Sequence, residues 1–224
     1  MALVTMIMGE SGSGKSASLR NFKKNEVIIL NVADKALPFR GDLNRVNLRK
    51  LSYTERYDTI KRTVTKNMDK YKVFVIDVSQ FLMSFELFSR AKEVGYGKFT
   101  DLAVEFKNLL DFLMADVPDD VTVYLFHHTE VSDTGKVKAK TIGKMLDNQL
   151  TVEGLFTIVI KAIAYDGNYK FVTKSDGTDT VKTPMDMFSE TEIDNDLKEV
   201  DKVIRAYYGM PDIYKDKPVK TEGK

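Results

Sequence analysis

The sequence predicts an α/β protein built on a doubly wound, mainly parallel sheet, with antiparallel strands and a terminal helix at its C-terminal end. Four short apolar runs alternate with segments of helical periodicity, as strands and crossover helices do in parallel sheets. A glycine-rich loop joins the first apolar run to the first helical segment. Towards the C-terminus, alternating apolar and polar residues with turn signals are typical of antiparallel strands.

The composition predicts one globular domain. Hydrophobic residues make up 43% and charged residues 30% of the 224-residue chain, which are ordinary values for a packed core. We expect the domain to span residues 1–210, because the segment 211–224 is polar and interrupted by proline, as a flexible tail would be. The formal net charge of +1 excludes a strong overall field for nucleic acid, and the absence of cysteine excludes thiolate metal sites.

Each predicted element follows from its pattern. Apolar runs ending near polar residues or glycine predict buried strands at 3–8, 27–33, 72–77 and 121–128. Apolar residues at helical spacing predict helices at 16–22, 54–70, 79–91, 99–115 and 191–207. The segments "LFTIVIKAIAYDGNYKFVTK" and "DTVKTP" between the last two helices are predicted to extend the sheet with antiparallel strands.

The loop "GESGSGKS" at residues 9–16 fits the phosphate-binding pattern G-x-x-x-x-G-K-[ST], between a strand and a helix. Glycines let backbone N–H groups surround phosphate oxygens, and the helix N-terminus adds a partial positive charge. Lys15 is predicted to reach the β- and γ-phosphates, and the Ser16 hydroxyl to coordinate Mg²⁺. The predicted nucleotide-binding residues are Gly9, Glu10, Ser11, Gly12, Ser13, Gly14, Lys15, Ser16 and Ala17.

Asp77 ends the buried strand "VFVID" and is the second predicted Mg²⁺ residue, directly or through water. A strand-terminal aspartate is often only a helix cap, but next to a phosphate loop the metal role is favoured. The phosphate loop and Asp77 lie about sixty residues apart, which leaves room for another strand between the strand before the loop and the strand that ends in Asp77. That spacing suits RecA-like and AAA-type ATPases better than small kinases.

Hydrolysis also needs a carboxylate that orients water, and "VIDVSQ" has no second acid after Asp77. The stretch "NVADKALPF" at 31–39 resembles the place where RecA-type recombinases carry their catalytic glutamate, and here the acid is Asp34. Glu130 is the rival candidate, with a solvated loop acid as the alternative interpretation. Phe39 and Arg40 are candidates for contact with the nucleotide base.

The segment "VYLFHHTEVSDTGKVKAKTIGKMLDNQLTVEGLFTIVI" strongly resembles a family of bacteriophage ATP-binding proteins, and the likeness runs from the phosphate loop to the last helix. These are compact RecA/AAA-like P-loop ATPases found among phage replication and recombination genes. Some relatives are reduced RecA cores that bind or anneal single-stranded DNA. The resemblance implies ATP and Mg²⁺ as ligands, a homo-oligomer, and single-stranded DNA and other phage replication proteins as partners.

The same segment contains the two histidines of the chain. Neighbours on a strand point to opposite faces, so one of them is expected to face the nucleotide, and His128, nearer the carboxyl edge, is the candidate γ-phosphate sensor. A hydrogen-bonded structural histidine is the alternative. The lysine-rich stretch 134–144 is either a solvated face or a mobile loop whose lysines contact DNA or a neighbouring subunit's nucleotide; the candidates are Lys138, Lys140 and Lys144.

Two functions from different classes remain open. One is a Mg²⁺-dependent ATPase in phage DNA replication or recombination. The other is a nucleotide-gated assembly protein with little turnover. A small-molecule phosphotransferase is disfavoured, because only Arg90 and Arg205 lie beyond residue 62 to clamp two phosphorylated substrates. The sequence contains no run of about 18 apolar residues, the length that a membrane-spanning helix needs. We therefore expect a cytoplasmic protein without a membrane partner.

Overall fold

A computed structural model describes residues 2–142 and 151–215. The fold is a three-layer α/β arrangement around an eight-stranded sheet, with a separate two-stranded hairpin. The strands of the sheet are β1 (Leu3–Met8), β2 (Val27–Asn31), β3 (Asn44–Asn47), β4 (Val73–Asp77), β5 (Thr122–His127), β8 (Ile158–Tyr165), β9 (Asn168–Val172) and β10 (Glu192–Asp194). The hairpin consists of β6 (Thr129–Val131) and β7 (Val137–Ala139).

The order of strands in the sheet is β10-β9-β8-β1-β5-β4-β2-β3. The six strands from β8 to β3 run parallel to one another, whereas β9 pairs antiparallel with both β8 and β10. The predicted fold class is therefore confirmed, although β8 joins the parallel part of the sheet before it forms a hairpin with β9. Strand β5 lies between β1 and β4, so the strand expected between the two motifs is present.

Helices cover both faces of the sheet, as the doubly wound prediction requires. The α-helices are α1 (Tyr53–Asn67), α2 (Gln80–Ser89), α3 (Gly97–Ala115) and α4 (Leu197–Tyr207), and 3₁₀ turns span Ser16–Leu19 and Val152–Leu155. Helices α1, α2 and α3 pack on one face of the sheet through a core that includes Ile60, Leu82 and Phe106. The Ser16–Leu19 turn and α4 pack on the other face. No helix in the described part of the chain is both long and apolar enough to cross a bilayer.

Burial on both faces explains why the strands were readable from the sequence. Every residue of β2 and β4 is buried, so both strands are continuous apolar runs that end in a polar side chain, Asn31 in β2 and Asp77 in β4. Helix α1 begins with a capping box, in which the Ser52 hydroxyl accepts from the Glu55 amide and the Glu55 carboxylate accepts from the Ser52 amide.

Three predicted elements differ from the structure. The helix expected at 16–22 is a single 3₁₀ turn, in which the Arg20 amide donates to the Ala17 carbonyl. The helix expected at 191–207 begins only at Leu197, because Glu192–Asp194 pairs with β9 and the Asp196 carboxylate caps the helix. The segment "DTVKTP" forms isolated bridges, including Lys182 with Val159, rather than a strand.

Helix α4 is tied to the sheet by a buried polar network around Asp201. The Asp201 carboxylate accepts from Thr122 and Tyr124 of β5, both at 2.6 Å, and from Arg205 at 2.6 Å. Tyr214, in the segment expected to be a flexible tail, donates to the same carboxylate at 2.6 Å and packs near Phe22. This part of the predicted tail is thus held against the domain, and residues 216–224 lie outside the described residues.

Candidate functional site

The glycine-rich loop leaves the carboxyl end of β1 and turns into the 3₁₀ segment at Ser16, as the motif requires. A cleft of about 200 Å³ opens beside it. Residues 11–17 line the cleft together with Lys35, Pro38, Val78, His128 and Tyr169. Gly14 has a φ of 91°, and a Cβ atom there would lie 2.6 Å from the Tyr169 ring, so glycine is required for both backbone and contact reasons.

Lys15 is folded back into the loop and is 6% exposed. Its Nζ donates to the carbonyl oxygens of Gly9 at 2.6 Å and Glu10 at 2.7 Å. Burial lowers the pKa of Lys15 to about 8, while the nearby Asp77 carboxylate opposes that shift. The ammonium therefore remains mostly protonated at neutral pH, and phosphate oxygens can replace the loop carbonyls as its acceptors.

Ser16 and Asp77 meet although they come from different elements. The Ser16 hydroxyl lies 3.1 and 3.0 Å from the two carboxylate oxygens of Asp77 and donates to them. Asp77 is 8% exposed, and burial raises its pKa, an effect that the Ser16 hydrogen bond and the charge of Lys15 oppose. The buried carboxylate thus favours further positive charge beside it.

These two oxygen-bearing groups fit Mg²⁺, which binds proteins through one or two side chains while keeping phosphate oxygens and waters as its other ligands. In residues 2–142 and 151–215, no group of three or more His, Cys, Asp or Glu side chains is arranged to hold a metal. A cation at Ser16 and Asp77 would take its remaining ligands from the nucleotide and from water. It would neutralise charge on the phosphate oxygens.

His127 and His128 have different surroundings, as their position on a strand predicts. His127 is fully buried: its Nδ1 lies 2.8 Å from the Ser79 hydroxyl and its Nε2 lies 2.8 Å from the Lys140 carbonyl. A carbonyl only accepts, so Nε2 carries the proton in the neutral ring and Nδ1 accepts from Ser79. Burial lowers the pKa of His127 to about 4. This residue is a hydrogen-bonded structural histidine.

His128 lines the cleft, with its ring edge-on to Phe81 at a centroid distance of 5.2 Å. Burial lowers the pKa of His128 to about 4, and the charges of Lys15 and Lys35 contribute to the shift. A neutral ring beside the phosphate loop offers one N–H donor to a phosphate oxygen without adding a fixed charge. The location suits the sensor role predicted for His128, and that role stays a prediction.

The carboxylates of the two candidate water-activating acids have partners outside the cleft lining. Asp34 has a φ of 54°, and its carboxylate accepts from the Arg49 amide at 3.2 Å. Glu130 lies on β6 and forms an ion pair with Lys138 at 3.2 Å. Neither acid is among the described residues that line the cleft, whereas Lys35, next to Asp34, is. The assignment of a catalytic base therefore stays a prediction for both.

The lysine-rich stretch is partly a β-hairpin rather than the loop considered from the sequence. Lys138 lies on β7, and the exposed Lys140 follows that strand directly. The Lys140 amide donates to the His128 carbonyl at 2.8 Å, and the Lys140 carbonyl accepts from His127. The base of the hairpin is thus connected to both histidines, while Lys144 lies outside the described residues.

Comparisons with known proteins give a likeness in structure and none in sequence. No protein-family model matches the chain. No curated protein matches it either. Among solved structures, it is similar to an ATPase from the type III secretion system of pathogenic bacteria, with 13% sequence identity and a TM-score of 0.48. The likeness covers 71% of this chain and 50% of that ATPase, so this chain spans about half of its length. A likeness this distant carries no argument about function.

Lys35, Ser79 and Tyr169 belong to the site or support it, and the sequence did not indicate them. Lys35 adjoins the singled-out Asp34, so its position on a loop after a buried strand was the available signal. Ser79 orients His127 from the chain just after β4. Tyr169 comes from β9, far from the phosphate loop in sequence, and only the sheet order brings the two together.

The buried His127 predicts acid sensitivity of the fold. Its pKa is about 4 in the folded state against 6.5 as the unperturbed value, so the unfolded chain binds a proton in that window and the folded chain does not. His127 therefore costs no stability above pH 6.5, and the free energy of unfolding falls as the pH drops towards 4. We expect the free energy of unfolding to lose on the order of 2 kcal/mol across this range from His127.

Denaturant unfolding at pH 7 and pH 4.5 measures this effect. His127→Gln is expected to reduce the loss of stability between the two pH values, because glutamine does not titrate. His128→Gln is the companion variant: the pKa of His128 is also lowered to about 4, so this variant is expected to reduce the loss as well, but by less, because His128 is partly exposed and solvent screens its charge. An equal loss in the wild type and in His127→Gln would contradict the assignment of His127 as a buried neutral group.

Proposed function

We propose that the protein is a Mg²⁺-dependent ATPase of RecA-like type that acts in phage DNA replication or recombination, together with single-stranded DNA. The observation that carries the proposal is that Lys15 and Ser16 line one cleft beside the phosphate loop and that the Ser16 hydroxyl donates to the Asp77 carboxylate. A buried lysine and a hydroxyl–carboxylate pair supply the charge and the oxygen ligands that a Mg²⁺-bound triphosphate needs.

Each of these residues has a distinct task in the proposed reaction. The Lys15 ammonium exchanges the Gly9 and Glu10 carbonyls for oxygens of the β- and γ-phosphates. Ser16 and Asp77 would hold the cation, which would neutralise charge on the phosphate oxygens. His128 donates to the γ-phosphate as a neutral imidazole and senses its presence. Asp34 or Glu130 would orient the attacking water after a rearrangement or in an assembly.

The DNA and assembly parts of the proposal rest on the resemblance and on the hairpin. The phage role and the homo-oligomer come from the resemblance of the segment around the histidines to bacteriophage ATP-binding proteins. Lys138 lies on the hairpin, and Lys140, which directly follows it, donates its amide to the His128 carbonyl. A contact of these lysines with DNA or a neighbouring subunit would therefore be transmitted to the predicted sensor. The net charge of +1 agrees with local rather than general DNA contact.

A nucleotide-gated assembly protein is the second candidate. The observation that favours it is the position of the two acids: Asp34 accepts from the Arg49 amide, and Glu130 pairs with Lys138. A site that binds Mg²⁺ and triphosphate but has no carboxylate to orient the attacking water would bind ATP and release phosphate slowly. Such a protein would assemble on ATP binding and recruit other phage replication proteins.

Phosphate release, measured with and without single-stranded DNA and combined with mass measurement of the assembly, separates the two candidates. The ATPase proposal expects measurable turnover that increases when DNA and a larger assembly are present. Binding of ATP without turnover, even with DNA and at high protein concentration, would reject the ATPase and leave the assembly protein. Absence of ATP binding would reject both.

The water-activating acid is tested by Asp34→Asn and Glu130→Gln. We expect Asp34→Asn to reduce turnover by about a hundredfold or more while ATP binding is retained, because an amide cannot take the proton of water. Glu130→Gln serves as the matched variant. Unchanged turnover in Asp34→Asn together with loss in Glu130→Gln would transfer the role to Glu130.

The lysines of the hairpin are tested by changing Lys138 and Lys140 to alanine together. If they contact the DNA backbone, single-stranded DNA affinity falls and its dependence on salt becomes shallower. An electrophoretic mobility shift at two salt concentrations measures both. A shift that persists unchanged in the double variant would eliminate this hairpin as the DNA contact.

A further inference from the structure

Asn195 is a buried polar residue whose side chain has no evident structural use. It is 2% exposed, and neither the Nδ2 nor the Oδ1 atom of its side chain has a hydrogen-bond partner among the described residues. Its backbone is well held, since its carbonyl accepts from Arg20 at 2.5 Å and the next residue, Asp196, caps α4. Buried amides are normally paired, so two unused polar atoms in a well-anchored residue point to a ligand.

The Asn195 side chain lies against the phosphate loop. A Cβ atom on Gly14 would be 3.2 Å from the Asn195 Nδ2 and 2.6 Å from the Tyr169 ring, so both side chains approach the same turn of the loop. Tyr169 also lines the cleft and is 47% exposed. An aromatic ring that lines the cleft and a buried, unpaired amide that does not line it therefore lie against the same turn of the phosphate loop.

The order of strands identifies which end of a nucleotide would lie there. Strands β5 and β4 lie on one side of β1; His128 directly follows β5, and Asp77 ends β4. Strands β9 and β10, which place Tyr169 and Asn195, lie on the other side. The cation and the terminal phosphate belong with Asp77 and Lys15, so the nucleoside extends in the opposite direction.

We propose that Tyr169 and Asn195 form the nucleobase subsite of this protein and that the base is adenine. The inference rests on the proposed function, because it assigns a further part of the same nucleotide site. It replaces the sequence-based expectation for Phe39, which packs against the apolar core on the α4 face of the sheet.

The chemistry of the two side chains fits adenine. A carboxamide offers one N–H donor group beside one carbonyl acceptor, and adenine presents an acceptor, N7, beside a donor, the N6 amino group. The corresponding edge of guanine presents two acceptors, N7 and O6, which leaves the carboxamide oxygen unpaired. The Tyr169 ring stacks on the face of the base and contributes affinity with little preference among bases. Asn195 is buried and does not line the cleft, so the subsite requires the half-exposed Tyr169 ring to turn from Gly14 onto the base for the base to reach the amide.

Binding measurements with ATP, GTP and inorganic tripolyphosphate, all with Mg²⁺, test this subsite. Tripolyphosphate has no base, so it reports the phosphate loop alone. For Tyr169→Ala we expect ATP affinity to fall about tenfold or more and tripolyphosphate affinity to stay unchanged. Asn195→Leu is expected to reduce the preference for ATP over GTP about tenfold, with unchanged tripolyphosphate affinity and a higher melting temperature, because the unpaired amide is removed.

The matched control is Tyr165→Ala, since Tyr165 is equally exposed, at 47%, and its hydroxyl donates to Glu192 rather than facing the cleft. This control is expected to bind all three ligands as the wild type does. Equal losses of ATP and tripolyphosphate affinity in Tyr169→Ala and Asn195→Leu would overturn the subsite, and so would unchanged ATP affinity in both. If the wild type bound neither ATP nor tripolyphosphate, the proposed function itself would fail and the inference with it.

Discussion

Replacing Lys15 with methionine is expected to abolish ATP hydrolysis and, in the same protein, to raise the stability of the ligand-free fold. Methionine keeps most of the apolar stem of Lys15 but removes the charge that the β- and γ-phosphates need. We expect turnover to fall by about a thousandfold or more, as it does when a preorganised donor to a reacting oxyanion is lost. Phosphate release at saturating ATP measures this loss.

The gain in stability follows from the burial of Lys15. Its pKa is about 8 in the folded state against 10.5 as the unperturbed value, so the unfolded chain binds the proton more tightly. Lys15 therefore costs no stability above pH 10.5, where it is neutral in both states, and it lowers the free energy of unfolding increasingly as the pH falls to 8. At pH 7 removal of the buried charge is therefore expected to stabilise the fold on the order of 2 kcal/mol. The loss of the hydrogen bonds to the Gly9 and Glu10 carbonyls offsets part of this gain.

Lys24→Met is the matched control for both effects. Lys24 forms an exposed ion pair with Asp42, so its replacement is expected to leave turnover unchanged and stability nearly so. Thermal unfolding with and without ATP provides the second measurement: Lys15→Met is expected to have the higher melting temperature without ATP and to gain little when ATP is added. Normal turnover in this variant would contradict the assignment of the cleft as the nucleotide site.

Changing Asp77 to asparagine is expected to remove the dependence of ATP binding on Mg²⁺ and to reduce turnover about a thousandfold. The asparagine oxygen still accepts from the Ser16 hydroxyl, so the local hydrogen bond is retained while the negative charge that holds the cation is lost. The pKa of Asp77 is raised by burial, which means that its charge opposes folding at neutral pH. The variant should accordingly fold at least as stably as the wild type.

Titration of ATP with Mg²⁺ and with EDTA measures the effect on binding. The wild type is expected to bind more tightly with Mg²⁺, whereas Asp77→Asn should give similar affinities under both conditions. Asp69→Asn, an exposed aspartate just after α1, is the control and is expected to behave like the wild type. Retained Mg²⁺ dependence in Asp77→Asn would reject Asp77 as a metal ligand and leave it as a hydrogen-bond partner of Ser16.

The elements that the sequence predicted well are those whose local pattern matches their final environment. Strands β1 and β4 are apolar except for Thr5 in β1 and the terminal Asp77 in β4, because both faces of the sheet are covered, so their burial is visible in the composition of each segment. The phosphate loop is also local, since glycine, lysine and serine act there through the backbone and side chains of eight consecutive residues. Strand β3, with the sequence NRVN, gave no such signal because it lies at the edge of the sheet and is half exposed.

The sequence by itself determined that this chain has a doubly wound α/β fold and a phosphate loop whose lysine and serine lie next to each other. Only the tertiary structure decided which distant residues meet that loop: it brought Asp77 to Ser16, placed Tyr169 and Asn195 beside Gly14, and turned the Asp34 carboxylate to Arg49. The physical reason is that contacts within a strand or loop depend on neighbouring residues, whereas contacts across a sheet depend on strand order, which no single segment encodes.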